Sequence, residues 1–71
     1  MTDLELEKEA ALIEAILYLE GEPLDESALC RISGLPREVT EKALANLGAR
    51  YALDASGLEL SQIGGGFMIS P

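Results

Sequence analysis

Three consecutive glycines, Gly64-Gly65-Gly66, separate two short runs in which apolar and polar residues alternate. Leu58 and Leu60 precede them and Phe67 and Ile69 follow, interleaved with Glu59, Ser61, Met68 and Ser70, the two-residue period of half-buried strands. A glycine run permits the positive backbone dihedrals of a tight hairpin. Upstream of Asp54-Ala55-Ser56-Gly57 the apolar period is helical instead. The chain is therefore constrained to place its helices first and a β-hairpin last.

Three helices are predicted before that hairpin. Across Leu4 to Leu19, at about 100° per residue, Leu6, Ala10, Ile13 and Leu17 fall on one stripe and Leu12, Ile16 and Leu19 on a second. Together they cover nearly half the circumference, more than the ~100° arc that packing on one core needs. Two explanations stand at this point: a central helix touching neighbours on two sides of one core, or a face covered by something beyond it. Gly21, Glu22 and Pro23 end this helix. Asp25 is a good N-cap for a second helix through Ile32, with Leu24 and Leu29 at the positions of a hydrophobic staple. Gly34 stops it, and Pro36 suits the first turn of a third helix. There Val39, Ala43, Leu47 and Tyr51 recur every four residues with Leu44 beside them. Gly48 marks either a close approach or an early end of that helix.

Helix, helix, tight turn, helix and hairpin is the order of a winged helix, an α+β fold with three helices followed by a β-hairpin wing. All 71 residues, 1–71, fit one such domain. A chain this short buries only ~60% of its unfolded surface, so self-association is a natural source of further burial. The sequence stops directly after the second hairpin strand and reads as truncated.

Charge and composition remove most function classes. The net charge is −8, and residues 1–26 carry nine acids against the single base Lys8. That field repels phosphates and anionic lipid. With no histidine, imidazole-based triads and His-ligated metal sites are ruled out. Cys30 has no second cysteine to pair with and reads as a small buried hydrophobe. The serines lack an adjacent lysine or nucleophile-elbow pattern, the acids lack a calcium-loop spacing, and the glycine run is not followed by Lys-Ser or Lys-Thr. A non-enzymatic protein without cofactor or metal is expected. Ala10 to Leu19, interrupted by Glu14, is far shorter than the ~20 residues that span a bilayer, and no leader opens the chain, so the expected location is cytoplasmic.

DNA reading by the third helix is the remaining chemistry, with Arg37 and Lys42 on phosphates. Glu38 and Glu41 interleave with them and the hairpin has no Lys or Arg, so such binding would be weak and salt-fragile. A fragment of a winged-helix DNA-binding transcriptional regulator is the alternative function on this basis.

The runs Ile13-Glu14-Ala15-Ile16-Leu17-Tyr18-Leu19-Glu20-Gly21-Glu22-Pro23-Leu24, Gly57-Leu58-Glu59-Leu60 and Gly65-Gly66-Phe67 resemble the N-terminal region of the segregation and condensation protein B family. There an EAxLF-x-x-GEPL run opens the domain and a GLEL…GG-aromatic run forms the wing. Tyr18 departs from the phenylalanine frequent in the family and adds a hydroxyl needing water or a partner. The resemblance implies a non-enzymatic, nucleoid-associated subunit in chromosome condensation and segregation. It also implies a homodimer that binds the kleisin subunit, segregation and condensation protein A, and through it an SMC ATPase. Placed on this chain, the expected dimer interface is Leu12, Ile16 and Leu19 of the first helix, with Leu6, Ile13 and Leu17 as the alternative set.

Overall fold

A computed structural model describes residues 3–53 and 57–70, with side chains from Leu6 onward. Asp54-Ala55-Ser56, where the apolar period changes, and the side chains of Leu4 and Glu5 lie outside the described residues. The elements are α1 (Asp3–Glu20), β1 (Leu24–Asp25), α2 (Glu26–Ser33), α3 (Arg37–Leu53), β2 (Glu59–Ile63) and β3 (Gly66–Ser70). Three helices and a terminal hairpin thus form the α+β arrangement of a winged helix.

Local chemistry accounts for the helix boundaries. The Asp25 carboxylate accepts from the Ala28 N–H at 2.8 Å, satisfying one of the free donors of the first turn of α2. At its other end Gly34 adopts φ 76° and donates its N–H to the Cys30 carbonyl, a left-handed cap that a side chain would disfavour. The first turn of α3 is closed by Thr40 N–H donating to the Pro36 carbonyl.

The core decides between the two stripes of α1. Ala10, Ile13 and Leu17 are fully or almost fully buried against Leu29 of α2 and Ala43, Leu44 and Leu47 of α3. Ile13 at 0% and Leu17 at 1% exposure cannot meet a second chain, so two members of the alternative interface set, Ile13 and Leu17, are core residues, while Leu6 is half-buried. Thr40 is also wholly buried, a position the helical pattern did not single out. Its hydroxyl accepts from the Cys30 thiol at 3.4 Å, which lets a polar residue sit between α2 and α3. Cys30 itself is half-buried, not fully covered.

The hairpin is part of a three-stranded antiparallel sheet in the order β1-β3-β2. Leu60 pairs with Ile69, Gln62 with Phe67, and Phe67 in turn with Leu24 of β1. Leu24, Leu60, Phe67 and Ile69 pack on the helical core. Gly64 and Gly65 form a two-residue turn with φ of 55° and 83°, both positive as a type I′ turn requires. Gly66 belongs to β3, where a Cβ would stand 2.9 Å from that of Pro23, so the chain entering β1 approaches β3 this closely because residue 66 has no side chain. β1 was absent from the sequence pattern because two residues carry no period. Gly48 does not end α3, which continues to Leu53, and a Cβ there would make ordinary contact with Leu60 at 3.8 Å.

Candidate interaction surface

With one stripe of α1 in the core, the opposite arc is surface. At about 100° per residue, Tyr18, Ala11, Ala15, Leu19, Leu12 and Ile16 occupy roughly 160° of the helix between residues 11 and 19 with no charged side chain among them. Leu12 is 41%, Tyr18 70% and Leu19 81% exposed. Ile16 is half-buried and leans on the core. The structure therefore places Leu12 and Leu19 outward with Ile16 at their base, forming a ridge along one flank of α1.

The other flank is the wall of a groove. Ala11, Ala15 and Tyr18 face Tyr51 of α3 and Leu58 across a concavity of about 310 Å³. Two neighbouring concavities, of about 480 and 430 Å³, continue it along α3 and toward the wing, and all three share Tyr51. The Tyr51 hydroxyl donates to the Glu14 carboxylate, tying the end of α3 to the middle of α1. Partial burial, followed by this bond and the charge of Glu14, pushes the phenol up to about 12. No pattern in the sequence pointed to this pair, whose members are 37 residues apart.

The expected DNA-contacting residues sit together on the first half of α3, but each is bound to an acid. Arg37 Nε lies 2.7 Å from Glu26 Oε1 and 3.9 Å from Glu41 Oε1, and Lys42 Nζ lies 3.3 Å from Glu38 Oε1. The hydrogen bond to Glu26, and then its charge, hold the Arg37 guanidinium more firmly protonated than usual. Glu41 is pushed above the ordinary carboxylate range, first by its hydrogen bond to Glu26. Neither β2 nor β3 contains Lys or Arg. Among the described residues no group of three His, Cys, Asp or Glu side chains could hold a metal ion. No helix among them is long and apolar enough to cross a membrane.

No curated protein and no solved structure gives a significant match to the chain. A protein family does: segregation and condensation complex subunit ScpB matches residues 11–70. That span takes in most of α1, both other helices and the whole sheet, including the three runs on which the resemblance rested. That family is one of non-catalytic subunits of the complex that acts in chromosome segregation and condensation. On this match over most of its length, the chain belongs to the ScpB family of segregation and condensation complex subunits.

Proposed function

We propose that this domain is an assembly module of the segregation and condensation complex that pairs with a second copy of itself through α1. On this reading it also helps hold the kleisin subunit, segregation and condensation protein A, and through it an SMC ATPase. It would work in the cytoplasm at the nucleoid, as the N-terminal half of a two-domain protein. The observation that carries the reading is the ridge of α1, where Leu12 and Leu19 stay exposed beside Ile16 with no charged side chain on that arc between residues 11 and 19. Covering a leucine fully contributes on the order of 2 kcal/mol, and a two-fold axis doubles each such contribution.

Sedimentation equilibrium over about a hundredfold range of concentration tests it, since a dimer's apparent mass follows mass action. The wild-type chain is expected to be dimeric and Leu19→Glu monomeric. Leu19 is so exposed that the substitution leaves the fold intact, whereas Ile16→Glu also disturbs the core. A wild-type monomer throughout would refute self-pairing, and a dimeric Leu19→Glu variant would refute this face. The alternative, a DNA-binding regulator, rests on the exposure of Arg37 and Lys42 on α3. Their acidic partners weaken it, and titration with duplex DNA at two salt concentrations is expected to show no binding even at the lower.

A further inference from the structure

The ridge of α1 is apolar, but its borders are charged. Glu9 and Glu20 lie seven residues before and four residues after Ile16, which at about 100° per residue puts both within about 40° of it around the helix. Lys8, on the other border beside Leu12 and Leu19, is the only base on α1. No ion pair among the described residues takes in Glu9 or Glu20, and Oε1 of Glu9 is covered without a hydrogen-bond partner among them. The acid border therefore keeps its charge beside the contact.

We infer that charge regulates the pairing: Glu9 and Glu20, together with the net −8 of each copy, oppose it, so two copies bind each other more tightly as ionic strength rises. The inference rests on the assembly reading and names how that interface is controlled. A two-fold axis doubles each border, setting four of these acids against two lysines, and brings a second body of the same net charge alongside the first. Each domain measures 28 × 26 × 18 Å, so paired centres stand roughly 20–25 Å apart, inside the ~30 Å Debye length of 0.01 M salt and well beyond the ~8 Å of 0.15 M. At the lower salt each copy meets the whole charge of the other, whereas at the higher only charges close to the contact still act. DNA binding by Arg37 and Lys42 would respond in the opposite sense, since added salt removes the gain from counterion release.

Dilution calorimetry of the wild-type chain tests this, with Leu19→Glu as the unpaired baseline. Between about 0.01 M and about 0.15 M sodium chloride the dimer Kd is expected to fall about tenfold or more. Glu20→Lys should show a smaller salt response, which separates screening from salting-out of the apolar ridge, because salting-out would act on both chains alike. At about 0.15 M it should also tighten pairing about threefold or more, while Glu59→Lys, the same change of net charge placed on β2, should alter it less than about 1.5-fold. Both positions are exposed, and a lysine in the last turn of α1 suits the helix dipole, so neither substitution disturbs the fold. Equal effects of the two lysine substitutions at the higher salt would overturn the role of the acid border. A wild-type Kd that stays constant or rises with salt would overturn the inference and leave pairing standing. No heat of dissociation from the wild type at either salt would instead refute the assembly reading, and the inference with it.

Discussion

Gly66→Ala tests the account of how β1 is held. Gly66 is buried in β3 and faces Asp25 on one side and Ile63 on the other. A Cβ there would lie 2.9 Å from Pro23 Cβ, 3.2 Å from the Pro23 carbonyl carbon and 3.3 Å from the Leu24 nitrogen. Carbon atoms settle at about 3.5–4.0 Å, so the methyl needs at least roughly half an ångström that a proline ring and two backbone atoms cannot supply by rotation. Overpacking of this kind costs about 1–3 kcal/mol, offset by about 0.4–1 kcal/mol from a stiffer unfolded chain. The net loss of about 1–2 kcal/mol is a sizeable part of the roughly 4–11 kcal/mol expected for a domain of this length. Urea unfolding followed by circular dichroism at fixed protein concentration reads it as a midpoint lowered by roughly 1–2 M. Gly48→Ala is the control with opposite sign: the added methyl meets only Leu60 at 3.8 Å, and the helix gains about 1 kcal/mol. An unchanged or raised midpoint for Gly66→Ala would refute the close-approach argument.

Removing the α2 cap with Asp25→Ala is expected to cost about 1 kcal/mol in the same assay, because the Ala28 N–H loses its acceptor. Ile13→Ala should cost about 2–5 kcal/mol, as it opens a cavity in a fully buried site. Leu19→Ala, at 81% exposure, should change monomer stability by less than about 0.5 kcal/mol while weakening self-association. Tyr51 has a folded pKa raised from 10.0 to about 12, so its contribution is complete below pH 10 and is lost as pH rises through 12. Tyr51→Phe should lack that alkaline loss and the accompanying phenolate absorbance.

The parts of the fold visible in the sequence are those with a repeating signal or a specialised residue. α1 was expected over Leu4 to Leu19 and runs Asp3–Glu20, and Asp25, Gly34 and the glycine turn act as their chemistry implied. What was not visible depends on contacts distant in sequence. β1 exists because Phe67 and Gly66 arrive beside Leu24 and Asp25 from more than forty positions away. Thr40 is buried because Cys30 gives its hydroxyl a partner across the α2–α3 turn. The two stripes of α1 were both legible, but spacing alone could not say which faced inward, since Ile13 and Ile16 are equally apolar. The groove was hidden for the same reason as the Tyr51–Glu14 bond, being made by residues of α1, α3 and the root of the wing together.

The charge distribution links the fold to the kind of partner it can meet. A winged helix that reads DNA needs free cations on its third helix and its wing, because affinity grows with the phosphates neutralised. Here Arg37 and Lys42 are bound to Glu26, Glu41 and Glu38, and β2 and β3 supply none. Freeing Arg37 for a phosphate would leave the side chains of Glu26 and Glu41 facing each other without their shared counter-charge. The acids that pair with the cations of α3 lie apart from the ridge of Leu12, Ile16 and Leu19 on α1. On the proposed assembly reading it is the apolar ridge of α1, and not the ion-paired first half of α3, that meets a partner.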